Sequence, residues 1–344
     1  MAPAPLSGET TAAERRLVEL FRDGEWDGER QWLRRSPDRN AFMTANILLT
    51  LDRCAVRGEL ASRLDEARAH LADYQVGHRA FHWPLRAGRS AMAAAPPLWR
   101  HRWAEISPDA DCTCLLRLAR HDADLDDAIV TDLAFYRADD DRFRLPRFQR
   151  ALPGVGGSFL TWFPPRERCR HGKLETVDAG VDANILWYLG VAQRLEAPGA
   201  AETTRFLTEA VSRGLVLREP FRVSLYYPSP AVLLFLISRA ASWGGVPALQ
   251  ELRSALLAQL AQCPVRSSLE ALCREAAVRM WSGTPVGARP APGGDGIFYV
   301  GPLLAWPLQR CAPLLPLAAR AWTQIRFRCE ALEWALTLWL MQTA

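Results

Sequence analysis

Thr44-Ala-Asn-Ile-Leu48 returns 138 residues further along the chain as Asp182-Ala-Asn-Ile-Leu186. The offset equals three units of 46, a length that suits a helix hairpin with its loops. Coincidence in an Ala- and Leu-rich chain is the alternative. Outward from both copies the pattern stays helical. Thr11-Ala-Ala-Glu14 reads as a capping box, with Leu17, Leu20 and Phe21 following on one face. Residues 39–52 and 59–74 read as helices. The segment 201–217 spaces Phe206, Leu207, Ala210, Val211 and Leu215 at helical intervals. Pro230 suits the first position of a helix over 231–243. Leucines at 249, 252, 256, 257 and 260 predict a helix over 247–262. Ser267-Ser-Leu-Glu270 is a second capping box, and a last helix is expected over about 320–341, with Trp322, Ile325, Leu332, Leu336 and Trp339. No long period-2 run appears, so strand is expected in under about 5% of residues. Pro- and Gly-rich loops at 84–97, 153–157, 164–172 and 284–296 are too short to be clear linkers. The reading is all-α: about ten to twelve helices in hairpins, one domain over residues 1–344 with 1–10 disordered, forming a solenoid that is open or closed on itself.

Composition narrows the class. The chain has 49% apolar and 23% charged residues, ordinary for a globular protein. Its 13 Trp, 13 Phe and 6 Tyr must line a core, a cavity or an interface. A net charge of +4, from 42 basic against 38 acidic residues, does not announce a nucleic-acid partner. The eight cysteines, at 54, 112, 114, 169, 263, 273, 311 and 329, form no CxxC pair and no zinc-finger spacing. No signal peptide and no apolar run of about 18 residues is evident. Reduced thiols in a cytoplasm are the expectation, with no membrane span, although peripheral membrane contact is compatible with it. The oligomeric state is left open.

Three stretches resemble the terpene cyclase and protein prenyltransferase superfamily, in particular small single-domain bacterial relatives of squalene cyclases. Pro108-Asp-Ala-Asp-Cys-Thr113 is similar to the family's Asp-x-Asp-Asp-Thr-Ala acid motif. Gly157-Ser-Phe-Leu-Thr-Trp-Phe163, followed by Val177-Asp-Ala-Gly-Val-Asp-Ala-Asn-Ile-Leu186, resembles a Gly-x-Phe-x-x-Trp turn and an Asp-rich helix start. Tyr226-Tyr-Pro-Ser-Pro230 leads into a helix that ends in Ser238-Arg239-Ala240. Further aromatic signatures recur at Phe81-His-Trp83 and Gly296-Ile-Phe-Tyr299. The resemblance covers roughly residues 40–310. It implies an α/α-toroid and a class II cyclase-like enzyme, which starts cyclisation of a linear isoprenoid by protonating an alkene or epoxide.

Such a reaction needs a strong acid steadied by a second carboxylate and hydrogen-bond donors in a dry site. The resemblance assigns the proton to Asp111, with Asp109 as first partner. Cys112 stands where the family has its third acid, and a thiol cannot replace that carboxylate. Asp124-Leu-Asp-Asp127 is a second literal match that makes Asp126 a candidate acid, although a helix start, where Asp caps exposed N–H groups, is the favoured reading of that run. Trp162, Phe163, Trp187, Tyr188, Tyr226 and Tyr227 are candidates to face a carbocation, or are packing residues. Asn184 and Asp182 face a cavity or cap their helix. A zinc site is not expected. Cys112-Thr-Cys114 has no Asp-x-Cys element in support, His121 is the only histidine close behind Cys114, and His78, His82 and His101 are too widely spaced for a helical pair. No cofactor is expected, with Mg²⁺ entering only if the substrate is a diphosphate; Asp122, Asp124, Asp126 and Asp127 superficially fit that role. A hydrolase Gly-x-Ser-x-Gly elbow is missing. The rival readings are a non-catalytic toroid that binds an isoprenoid, lipid or peptide, and a protein-interaction scaffold.

Overall fold

The computed structural model describes residues 8–31, 35–82, 107–138, 142–164, 166–169, 173–227, 229–283, 290–302 and 324–343. Trp83, the loop 84–97, His101, Cys311 and Trp322 lie outside them. The protein is mostly helical. Its helices of ten or more residues are α1 (Gly8–Glu19), α2 (Ala41–Leu51), α3 (Gly58–His70), α4 (Ala110–Arg120), α5 (Asp126–Phe135), α6 (Ala179–Val191), α7 (Ala200–Ser212), α8 (Pro230–Ser242), α9 (Arg253–Gln262), α10 (Ser268–Ser282) and α11 (Glu330–Gln342).

Several boundaries differ from expectation. Helix α1 begins at Gly8, so Thr11-Ala-Ala-Glu14 lies inside it rather than capping it, and residues 8–10 are ordered helix. The 247–262 pattern breaks into a single turn at Pro247–Gln250 and then α9. Ser267 does cap α10, accepting from Glu270 N at 3.3 Å. The expected last helix starts ten residues late, because Gln324–Arg328 is a strand. Strand content exceeds the expectation. Antiparallel strands β1 (Gly28–Gln31), β2 (Arg35–Asp38), β3 (Tyr299–Pro302) and β4 (Gln324–Arg328) form a sheet of order β2-β1-β4-β3. Two-residue pairs elsewhere complete the strand content, one of them parallel.

Burial sorts the helices into two kinds. Every residue of α2 is buried, as are Ala179–Leu189 of α6 and Ala231–Ala241 of α8. A helix that is apolar all round must be enclosed on all sides. Helices α3, α7 and α9 bury one stripe each: Leu60, Leu64 and Ala67 on α3, for example. Six helices pack in cyclic order: α2 packs on α4, α4 on α6, α6 on α8, α8 on α10, α10 on α11, and α11 back on α2. At the α6–α8 crossing Gly190 permits the closest approach, since a Cβ there would lie 1.9 Å from the Gly244 carbonyl oxygen.

The internal repeat has a structural counterpart with a different period. Asn40, Asp109 and Asp178 are the N-caps of α2, α4 and α6, each accepting a backbone N–H two or three residues ahead. They stand 69 residues apart. The offset of 138 is therefore two helix-hairpin units, α2–α3 and α4–α5, not three.

Candidate functional site

Asp109 and Asp111 lie at the start of α4. Asp109 caps the helix, its Oδ1 accepting from Cys112 N at 2.6 Å. Asp111 sits in the first turn and is buried. Asn184 of α6 donates to its Oδ1 at 2.6 Å, and the Tyr227 hydroxyl bonds its Oδ2. Burial and the neighbouring Asp109 charge push the Asp111 pKa up to about 8, against the two hydrogen bonds, which lower it. Burial thus favours the protonated form of Asp111. Burial lifts Asp109 to about 6, with the Cys112 N–H opposing.

Behind Asp111 is a group absent from the sequence candidates. Arg239 of α8 is buried, donating to Asn184 Oδ1 at 2.5 Å and to Asn46 Oδ1 of α2 at 2.8 Å. Asn46 and Asn184 are the two asparagines of the repeated Ala-Asn-Ile-Leu motif. The Arg239 guanidinium lies 4.1 Å from the centre of the Trp187 ring and 5.4 Å from that of Phe235. The signal for it in the sequence is an arginine in the otherwise apolar run 231–241.

Asp178 sets the other wall. Besides capping α6, it accepts from Ser224 Oγ at 2.8 Å, Leu225 N at 2.6 Å and Tyr226 N at 2.8 Å. This ties down the turn that delivers Tyr227 to Asp111. Gly180 leaves room for the ring: a Cβ there would fall 2.1 Å from Tyr227 Cδ2. Gly180→Ala is expected to expel Tyr227 from Asp111, at an overpacking cost of about 1–3 kcal/mol. Loss of the Tyr227–Asp111 contact in a crystal structure of the variant is the check; an unmoved ring would refute the steric argument.

Cys112, the departure from the acid motif, points elsewhere. Its Sγ lies 3.6 Å from His82 Nδ1, and His82 Nε2 lies 2.7 Å from the Tyr299 hydroxyl. Burial drives His82 down to about 3 and the Cys112 thiol well up, so both are neutral. Tyr299 stacks on Phe327 across β3 and β4, with ring centres 4.4 Å apart. Phe42, Phe298 and Tyr299 surround Tyr227 at 6.0, 6.1 and 6.4 Å. These aromatic residues next to the acid are not among the sequence candidates, apart from the Phe298-Tyr299 signature.

The other candidates separate. Trp187 serves Arg239. Trp162 donates to the Tyr226 hydroxyl at 2.9 Å, and their rings meet edge-on. Phe163 packs on Tyr136, beside the cluster in which His78, Arg79 and Arg166 surround Asp132. Tyr188 donates to Asp126 at 2.9 Å. Asp126 does not cap α5, whose N-cap Leu125 makes no side-chain bond; it pairs bidentately with Arg117. Asp122 and Asp127 pair with Arg120 and Arg194. Three acids of the run are thus each paired with an arginine, and Asp124 is exposed. Asp126→Asn would strand a nearly buried guanidinium and is expected to cost about 3–5 kcal/mol. Urea unfolding measures this; a loss below about 1 kcal/mol would mean that solvent screens the pair.

Asp182 does not cap α6, a role that Asp178 holds. It is fully buried and neither oxygen has a hydrogen-bond partner, so burial pushes it well up toward the neutral acid. His121 is exposed, 3.8 Å from Asp52 and away from Cys112 and Cys114. Among the described residues, no group of three His, Cys, Asp or Glu could hold a metal ion, every cysteine is a free thiol, and no helix is long and apolar enough to cross a membrane.

No family model and no curated protein matches the chain. Its fold is similar to that in the crystal structure of a protein from Actinoplanes, with a TM-score of 0.58 over 97% of this chain and 99% of that one. At 13% identity this likeness concerns the fold alone.

Proposed function

We propose that the chain is an α/α-toroid whose Asp111 protonates a linear isoprenoid and so starts a class II-type cyclisation. The observation that carries this reading is Asp111 itself: a buried carboxyl group in the first turn of α4, bonded by Asn184 and Tyr227 and favoured by burial in its acid form. The cyclic packing order of α2, α4, α6, α8, α10 and α11 supports the toroid. Tyr227 at the acid, with the rings of Phe42, Phe298 and Tyr299 around it, supports a carbocation partner, because aromatic faces attract cations. Once the proton has left, the negative charge stays on Asp111, where the Asn184 N–H and the Tyr227 hydroxyl can donate to it. In place of a third carboxylate this chain puts the neutral Cys112–His82 pair, so Asp109 is the one other carboxyl group of the motif beside Asp111.

A second reading rests on Arg239. Its guanidinium already occupies an aromatic cation position over Trp187 among the enclosed helices, as it would in a non-catalytic toroid that binds an isoprenoid, lipid or peptide. The two readings part in one experiment. Purified protein is incubated with linear isoprenoids and their diphosphates, with and without Mg²⁺, and products are read by mass spectrometry. Cyclic isomers of the substrate support the first reading; saturable binding without conversion supports the second.

A further inference from the structure

Hydrogen-bond direction around Asp111 can be read from the donor inventory alone, beginning at Arg239. Burial brings its pKa down only to about 10, so it stays a guanidinium at neutral pH, with five N–H donors and no acceptor. The atom of Asn184 that faces it must be the carbonyl oxygen. The Asn184 amide nitrogen then faces Asp111 Oδ1 at 2.6 Å, as a donor. Which way a side-chain amide points is ordinarily ambiguous; here a donor-only neighbour fixes it. An oxygen that receives an N–H bond is best used as the carbonyl oxygen of the acid, which leaves Oδ2 for the proton. Oδ2 is the oxygen that meets the Tyr227 hydroxyl, and a hydroxyl can accept as well as donate.

We propose that Arg239 is a positioning residue: by locking Asn184 as a donor to Oδ1, it confines the acidic hydrogen of Asp111 to Oδ2, the edge covered by Tyr227. The repeated asparagines have one purpose in this arrangement. Asn46 and Asn184 hold the two Nη atoms of Arg239 from opposite helices, and Trp187 supports its face. Proton exit is thereby directed toward the aromatic group of Phe42, Phe298 and Tyr299 rather than toward Asn184. Asp111 also feels Asp109, Asp178, Asp182, Cys112 and Cys114. None of these makes a hydrogen bond to either Asp111 oxygen, so none competes for the choice between Oδ1 and Oδ2.

The inference deepens the protonation reading, yet its test needs no substrate, so the two fail separately. Subtracting the infrared spectrum of Asp111→Asn from that of the wild type, both carrying ¹³C-labelled aspartate at pH 6, should leave one protonated-carboxyl C=O band, that of Asp111, free of the bands of Asp109 and Asp182. In Arg239→Gln the neighbour of Asn184 can accept as well as donate, so the lock is lost. The band should split or broaden, and its titration midpoint should rise by about one pH unit, since a nearby cation has gone. Arg239→Lys, donor-only again, should restore a single band. If Arg239→Gln does not fold, Tyr227→Phe carries the test. Removing the partner of Oδ2 should move the band to the higher wavenumber of an O–H without an acceptor. A band unchanged in Tyr227→Phe, or unchanged in a folded Arg239→Gln, would overturn the assignment, whatever the outcome of the turnover assay.

Discussion

Asp111→Asn is expected to abolish conversion of a linear isoprenoid, by at least about 10²–10⁴-fold, while leaving the fold intact. The surroundings of Asp111 favour the substitution structurally. Asn184 donates to Oδ1, so the carbonyl oxygen of the new amide belongs there. The new NH₂ then faces the Tyr227 oxygen, as the acid proton does. The variant reproduces the protonated acid in shape and hydrogen bonding and lacks only the proton that can leave. Binding of substrate should therefore persist, and the loss should fall on kcat rather than on KM. Asp126→Asn provides the contrast: its partners Arg117 and Tyr188 make it a structural acid, so it should lose stability and keep the activity that remains in folded protein. If Asp111→Asn turns over at the wild-type rate, Asp111 is not the proton donor and the protonation mechanism is wrong; if neither protein turns over but both bind, the binding reading based on Arg239 takes its place.

What can be read from the chain follows from what each signal depends on. Helix positions rest on local spacing and caps, and α2, α6, α8 and α10 lie where the pattern puts them. The strand Gln324–Arg328 escapes because it is short and pairs with residues about 300 positions away, Glu29–Gln31. No period-2 run of useful length announces such a strand. Asp111 and Asn184 both stand out in the sequence, but their contact is not legible there, since it joins two helices 73 residues apart through side chains alone. Arg239 stands at the end of a motif and gives no sign of its partners, although a lone arginine in an apolar helix has to be satisfied somewhere. Residue type groups Tyr188 and Phe163 with Tyr227; helix geometry sends the first to Asp126 and the chain path sends the second to Tyr136.

The same substitution should remove a loss of stability that sets in as pH rises. Asp111 has an ordinary pKa of 3.8 once unfolded and about 8 in the folded protein. Between these values the unfolded chain has released a proton that the folded chain retains. The folded state binds more protons, so stability falls as pH rises through this window. A tenfold difference in proton affinity corresponds to about 1.4 kcal/mol, so the loss attributable to Asp111 approaches about 5 kcal/mol at pH 8 as an upper bound. The asparagine of the variant has no proton to release and escapes the loss. Urea unfolding of both proteins at pH 4, 6 and 8 should therefore show little difference at pH 4 and a growing advantage for Asp111→Asn toward pH 8. Asp109, Asp178 and Asp182, which burial also lifts, remain in both proteins and largely cancel in the comparison. Parallel pH profiles for the two proteins would mean that Asp111 is solvated and not held as an acid. A wild type more stable than the variant at pH 8 would mean that its carboxylate is ionised and paired. A carboxylic acid kept protonated inside a protein destabilises the folded state near neutrality, and retaining Asp111 at that cost is what a proton-donating function would require.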